Sequence, residues 1–63
     1  MEKRLRSLAS FTGAAYGPEY ADLHTNDMVV PMEHAEAGGG WSYVRNLRTG
    51  VVGWVPTDFM APQ

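Results

Sequence analysis

Ring-bearing side chains dominate the second half of this 63-residue chain, and the chemistry that they suit is non-covalent binding. Trp41, Trp54 and Phe59 fall in the stretch from Trp41 to Pro62, and Pro56 lies between the last two. If these rigid groups share one surface, they form shallow apolar slots with an indole N–H at the edge. Such a surface suits a peptide already in the polyproline II conformation, because little entropy is lost on docking. Alternatively, two of the four rings belong to the core, since large apolar side chains are usually buried, although so small a chain has little room for both tryptophans.

The polar residues do not form a pattern typical of catalysis or metal binding. The chain has no cysteine, and His24 and His34 lack the paired spacing of metal ligands. The serines have no His–Asp arrangement that the spacing supports. The glycines at 38–40 precede a tryptophan rather than a Lys-Ser or Lys-Thr helix start, which rejects a phosphate-binding loop. We therefore expect no enzymatic activity, no metal and no cofactor.

The composition excludes several other classes of protein. A net charge of −2 disfavours nonspecific nucleic-acid binding, although Lys3, Arg4 and Arg6 cluster near the N-terminus. The chain lacks both an apolar run of membrane-spanning length and the apolar core of a signal peptide, so we expect no membrane insertion. The absence of cysteine rules out disulfides and fits a reducing compartment, from which we expect a cytoplasmic location. The length suits one domain with a thin core.

A hairpin must position most of the rings. Residues 41–47 predict a strand, 48–50 a tight turn whose glycine supplies a positive φ, and 51–55 the returning strand with its β-branched residues. Pro56 ends ladder pairing because it has no N–H to donate. The pattern after it predicts one tight helical turn and a last short strand, at 57–59 and 60–61.

The first half of the chain predicts two strands and two loops. Residues 7–11 form a strand candidate that follows a polar N-terminal segment, and 28–32 form an apolar strand in which Pro31 indicates an edge position, a bulge or an early end. A long irregular excursion at 12–22 is typical of a functional loop. The glycine-rich segment 33–40 is the second loop.

The residues Gly53-Trp54-Val55-Pro56-Thr57-Asp58-Phe59-Met60 resemble the G-[YWF]-[IVF]-P-x-[NS]-[YF]-[VIL] segment of SH3 domains. Trp41 matches the first Trp of that family's W-[WY] pair, and Ser42 stands at the second. The segment 9–13 falls where the family has A-L-Y-D-Y, with Gly13 in place of the second Tyr. The resemblance spans roughly Leu8 to Pro62.

The resemblance implies an all-β fold, a small five-stranded SH3-like partly open barrel with a short 3-10 turn before the last strand. Residues 1–6 would form a flexible tail and 7–62 the domain. By analogy, 12–26 is the RT loop, 33–40 the n-Src loop and 48–50 the distal hairpin.

The resemblance also implies a peptide groove. Its members would be Phe11, Trp41, Trp54, Pro56 and Phe59, with Tyr16 replacing the wall lost at Gly13. Loop acids would bind a basic residue of the ligand, and the candidates are Glu19, Asp22, Glu33 and Glu36. Ungapped counting places Tyr20 at the usual position of the acid.

The predicted function is a non-catalytic interaction module that binds proline-rich, PxxP-type segments of another protein or of the parent chain, as in signalling adaptors and scaffolds. An alternative stays open. Gly13 and the apolar run at 28–32 also fit an atypical SH3 domain that binds a folded partner, for example ubiquitin or a neighbouring domain, or that self-associates.

Overall fold

Five short strands form one antiparallel sheet in the computed structural model, which describes residues 3–63. The order across the sheet is β4-β3-β2-β1-β5. Single-turn 3-10 helices occur at Gly13–Ala15 and Thr57–Phe59, and no helix in the described part of the chain is long and apolar enough to cross a membrane. The strands are β1 (Leu5–Ser7), β2 (Met28–Pro31), β3 (Trp41–Asn46), β4 (Val52–Pro56) and β5 (Met60–Pro62). The predicted all-β, five-stranded SH3-like architecture, with its 3-10 turn before the last strand, is confirmed.

The β3–β4 hairpin forms where the sequence predicts it. Gly50 turns the chain with φ 77°, and its N–H donates to the Asn46 carbonyl over 2.7 Å. Because glycine has no Cβ, it adopts this left-handed conformation at little steric cost. The register pairs Trp41 with Pro56 and Tyr43 with Trp54.

A thin core lies on the inner face of this sheet. Side chains alternate along a strand, so Val44 and Val55 point inward while their neighbours point outward. They pack with Phe11, Leu23 and Val29, and all five are buried. The apolar run at 28–32 contributes buried residues to the interior in its first part. β2 ends at Pro31, and an early end is one of the outcomes that this proline predicts.

The long loop crosses the hairpin at Gly53. A Cβ at Gly53 would lie 2.7 Å from the Glu19 carbonyl oxygen and 2.7 Å from the Ala21 nitrogen, so only glycine allows this approach. The Trp54 N–H donates to the Glu19 carbonyl, and the Ala21 N–H donates to the Trp54 carbonyl. These bonds hold Tyr20 beside β4.

The N-terminal expectation differs from the structure. Leu5 and Arg6 belong to β1, which pairs with β2 on one side and β5 on the other, so they are not part of a tail. The strand predicted at 7–11 instead ends at Ser7, and Phe11 forms only an isolated bridge with Leu23. Residues 5–7 form the strand because they pair with β2 on one side and β5 on the other. Local sequence does not encode pairing with segments so far along the chain. Residues 1 and 2 of the expected tail lie outside the described residues.

A buried polar network fastens the hairpin turn to the chain before β2. Arg48 donates through Nε to Asp27 Oδ1 over 2.8 Å and through Nη2 to Oδ2 over 3.1 Å. Asn46 Nδ2 and the His24 backbone N–H also donate to Oδ2. The hydrogen bonds from Arg48 act most strongly, and together with those from Asn46 and His24 they outweigh burial and hold the pKa of Asp27 well below its usual range.

Candidate binding surface

The outer face of the β3–β4 hairpin carries a continuous set of rings. Trp41 and Tyr43 are two residues apart on β3 and therefore share a face, and their cross-strand partners Pro56 and Trp54 share it with them. All four are half-buried. The period of the strand thus presents four rings outward while it buries the valines of the opposite face.

A first group of rings surrounds Trp41, and we call it the groove cluster: Phe11, Tyr16, Tyr20, Trp41 and Phe59. The Trp41 ring centroid lies 5.4 Å from Tyr20, 5.7 Å from Tyr16 and 6.1 Å from Phe11, all edge-on. Phe11 also meets Phe59 at 5.9 Å. Phe11 is only 6% exposed and forms the floor, whereas Tyr16 is 61% exposed and forms a wall. Edge-on packing at these distances stabilises aromatic pairs.

A second group of rings lies further along the hairpin, and we call it the hairpin cluster: His34, Tyr43 and Trp54. The centroid distances are 4.6 Å from His34 to Tyr43, 4.7 Å from His34 to Trp54 and 5.0 Å from Tyr43 to Trp54. Trp54, a predicted groove residue, therefore has its ring partners in this cluster. Pro56 faces Trp41 across the strands and lies two residues along β4 from Trp54, on the same face.

The 3-10 turn that carries Phe59 is fixed to both the hairpin and β1. The Thr57 N–H donates to the Gly40 carbonyl over 2.9 Å, and the hydroxyls of Thr57 and Ser42 lie 2.7 Å apart. The Leu8 N–H donates to the Phe59 carbonyl over 2.7 Å. Ser42, which stands where SH3 domains have a second aromatic residue, thus helps to position Phe59.

Asp22 is bonded through one carboxylate oxygen to the 3-10 turn at 13–15, and its assignment to ligand recognition stays a prediction. Its Oδ1 accepts hydrogen bonds from the Gly13 and Ala14 backbone N–H groups, over 2.6 Å and 3.3 Å. It lines a shallow cleft of about 260 Å³ beside the hairpin turn, away from Trp41, together with Ala14, Gly17, Pro18, Tyr20, Thr49 and Val51. The carboxylate is occupied because it satisfies the first N–H groups of a 3-10 turn that has no other side-chain cap.

The other three candidate acids are exposed in loops. Glu19 lies on the loop that crosses β4, and Glu33 and Glu36 lie on the loop between β2 and β3. Ungapped counting assigns Tyr20 to the position at which SH3 domains usually have an acid. In the structure, the ring of Tyr20 lies beside Trp41. Residues 3–63 contain no group of three or more His, Cys, Asp or Glu that could hold a metal.

Three members of the surface, Tyr20, Tyr43 and His34, do not figure among the predicted site residues. Tyr43 could have been found from its spacing, since it follows Trp41 by two positions on a predicted strand. His34 had no such signal. Its place against Tyr43 and Trp54 depends on how a glycine-rich loop folds back, and the sequence alone gives it only as a surface histidine.

Comparison with known proteins supports the fold. No family model matches the chain, and no curated protein matches it. The structure is similar to the C-terminal SH3 domain of myosin IB from Entamoeba histolytica, with a TM-score of 0.78 and 22% identity over 100% of this chain and 95% of that one. It is equally similar to the same domain bound to an EhFP10(GEF) peptide, with a TM-score of 0.78, 21% identity and the same coverage. The chain therefore has the SH3 fold.

Proposed function

We propose that this chain is a non-catalytic interaction module that binds proline-rich segments in the polyproline II conformation. The observation that carries the proposal is the position of Trp41, half-buried at the centre of the groove cluster and in contact with three other rings. A tryptophan held rigidly at the surface offers a large apolar area without having to be ordered on binding.

The shape of the groove cluster suits a ligand with flat, rigid side chains. Tyr16 and Trp41 stand beside the floor formed by Phe11, and Pro56 and Phe59 lie next to them. Prolines of a polyproline II helix fill shallow slots between such rings and are ordered before they bind. The peptide complex of the myosin IB domain supports a peptide-binding function for a domain of this shape.

The loop acids favour a ligand that has a basic residue beside its prolines. Glu19, Glu33 and Glu36 are exposed carboxylates on the two loops nearest the rings, and Asp22 is also exposed although its Oδ1 is bonded to the 3-10 turn. A lysine or arginine that flanks the prolines would gain charge-assisted hydrogen bonds there. Trp54 extends the apolar surface beneath that residue.

The test is an NMR titration with a peptide chosen from a proline-rich array. We expect Trp41→Ala and Tyr16→Ala each to weaken binding by about tenfold or more, since central aromatic anchors carry most of the energy of such contacts. Tyr16→Ala is the safer variant because Tyr16 is largely exposed and its loss leaves the core intact. The matched control is Val51→Ala, which removes an exposed apolar side chain, 48% accessible, at the hairpin turn.

The titration shows whether the peptide binds at the groove cluster. Amide shifts that centre on the groove cluster, with unchanged affinity in Val51→Ala, support the proposal. Full affinity in both Trp41→Ala and Tyr16→Ala, with the dispersed spectrum of a folded domain, refutes it.

A second candidate function is the docking of a folded partner on the hairpin turn. The run at 28–32 gives it little support, because Val29 and Val30 are buried and Met32, 39% exposed, is its one large exposed apolar side chain. Exposed apolar side chains instead occur at Leu47, Val51 and Val52. Loss of partner binding or of self-association in Val51→Ala, measured by sedimentation at rising concentration, would support this function. A strictly monomeric species at millimolar concentration would remove the self-association version.

A further inference from the structure

The loop between β2 and β3, which we call the acidic loop (33–40), is held by backbone hydrogen bonds at its glycine end, where Gly38 and Trp41 bond to each other and the Gly40 carbonyl accepts the Thr57 N–H. It ends in three glycines with positive φ, at 130°, 63° and 91° for Gly38, Gly39 and Gly40. Glycine has wide conformational freedom, so such a segment is costly to order. The loop nevertheless carries Glu33 and Glu36, the two acids expected to meet a basic ligand residue.

His34 is the only ring in the acidic loop, and it makes contacts in two directions. Towards the sheet, its ring packs at 4.6 Å on Tyr43 and at 4.7 Å on Trp54. Towards the loop, its Nδ1 accepts the Glu36 backbone N–H over 3.1 Å, and its carbonyl accepts the Ala37 N–H over 3.1 Å. One side chain therefore links the backbone of Glu36 to the outer face of the hairpin.

We infer that His34 is a positioning residue for ligand selection, which holds the acidic loop on the hairpin cluster so that Glu33 and Glu36 lie where a basic ligand residue can reach them. The inference rests on the proposed peptide-binding function. His34 acts through the acids and requires no contact with the ligand.

The protonation of His34 weakens this arrangement. Nδ1 accepts the Glu36 N–H only while it carries no proton, and an imidazolium has two donors and no acceptor. The added positive charge also competes with the ligand for Glu33 and Glu36. The other ionisable side chains on the packed elements are Tyr43 and Arg45 on β3 and Glu19 beside β4. A charge on His34 reduces the attraction of the neighbouring acids for an incoming cation, so a basic peptide binds more tightly with neutral His34 than with the imidazolium form.

The experiment compares two variants of His34 with a variant of the other histidine. His34→Phe retains the ring and removes the acceptor, while His34→Asn retains an acceptor near Nδ1 and removes the ring. His24→Asn is the matched control, because the structure shows His24 exposed and bonded through its backbone N–H. Affinity is measured by NMR titration at pH 7.5 and pH 5.5, with a proline-rich peptide that contains arginine and with its Arg→Gln counterpart.

For the wild type and for His24→Asn, we expect the arginine peptide to bind about threefold or more weakly at pH 5.5, the effect of one lost hydrogen bond. Both His34 variants should bind it about threefold more weakly at pH 7.5 and show little further loss at pH 5.5. The Arg→Gln peptide should be nearly insensitive to pH and to His34. If the wild type binds but the His34 variants keep both its affinity and its pH profile, the inference is wrong and the proposed function stands.

A measurement on the free protein tests the positioning role of His34 separately from the proposed peptide binding. In the wild type, the Glu36 amide resonance should move when His34 gains a proton, and in His34→Phe it should stay fixed over the same change of pH. A Glu36 amide that does not respond in the wild type overturns the inference, whatever the peptide does. If no proline-rich peptide binds the wild type while the Glu36 amide responds, the proposed function fails, and the role of His34 in ligand selection fails with it.

Discussion

Gly13 shows how a single residue decides which ring forms the wall of the groove. A Cβ at this position would lie 2.5 Å from the Ala21 carbonyl oxygen, closer than any real contact, so no side chain fits there. The ring that an SH3 motif would place here is absent, and Tyr16 lies over Phe11 at 5.2 Å instead. A tight backbone crossing and a relocated aromatic residue are therefore two consequences of the same glycine.

Gly13→Ala should destabilise the domain by about 1–3 kcal/mol, because the clash is with backbone rather than with a flexible side chain. Urea denaturation measures the change in the free energy of unfolding. Ala15→Ser, an exposed change in the same 3-10 turn, should stay within about 0.5 kcal/mol of the wild type. A Gly13→Ala protein with wild-type stability would show that the crossing is loose.

Asp27 gives the fold a dependence on acid. Its pKa is lower in the folded chain than in the unfolded one, so its contribution is fully present above the unfolded pKa and is lost as the pH falls towards the folded pKa. The free energy of unfolding of the wild type should therefore decline below about pH 4. Asp27→Asn should be less stable at pH 7 by about 1–3 kcal/mol, since it loses the charged partner of Arg48.

Denaturation curves at several pH values check both statements about Asp27. The Asp27→Asn protein should show a flatter acid profile than the wild type, because it lacks the carboxyl group whose pKa changes on folding. Parallel profiles for the two proteins would contradict the role of Asp27.

Among the elements, the β3–β4 hairpin was accessible from sequence and β1 was not. The prediction of strands at 41–47 and 51–55 agrees closely with Trp41–Asn46 and Val52–Pro56, because β-branched residues and a glycine turn encode a hairpin locally. β1 pairs with Val29 on one side and with Pro62 on the other, and both partners are far from it in sequence. Nothing in the residues of β1 specifies those partners.

The same distinction holds for the candidate surface. Trp41, Trp54 and Pro56 could be assigned to one face from strand period and motif. Only the structure shows that Asp22 bonds to the 3-10 turn and that His34 belongs to the hairpin cluster, because both outcomes depend on where loop side chains meet distant parts of the chain.

The hairpin turn depends on Asn46, whose amide lies buried at its base. Its Oδ1 accepts the Arg48 N–H over 2.8 Å, and its Nδ2 donates to the Asp22 carbonyl and to Asp27 Oδ2. Asn46→Ala leaves several of these groups unpaired and should cost more than about 2 kcal/mol of stability. Chemical denaturation measures the loss, and Leu47→Ala, an exposed change one residue along, serves as the control. Equal losses in the two variants would show that the amide network is not what secures the turn.

At the scale of the whole molecule, stability and binding draw on overlapping sets of residues, since Phe11 belongs both to the core and to the groove cluster. The core is small, and no disulfide supports it. Several large aromatic side chains lie instead on the outer face, where they are only half-buried. A thin core with a preformed surface favours a module whose stability depends visibly on its ligand.

Peptide binding should therefore raise the melting temperature in a way that reports on the groove cluster. Ligand at tenfold its Kd stabilises the folded state by about 1.4 kcal/mol, and in a domain this small each kcal/mol shifts Tm by about 4–8 °C. Calorimetry of the wild type with a saturating proline-rich peptide should thus show a rise of about 6 °C or more. At the same peptide concentration a tenfold weaker Tyr16→Ala should gain only about 0.4 kcal/mol and a shift of about 2–3 °C, while Val51→Ala should keep the full shift. Because Tyr16 is outside the core, its variant starts from nearly the wild-type Tm, and the smaller shift reflects binding alone. An undiminished shift in Tyr16→Ala would mean that the peptide stabilises the fold from another surface.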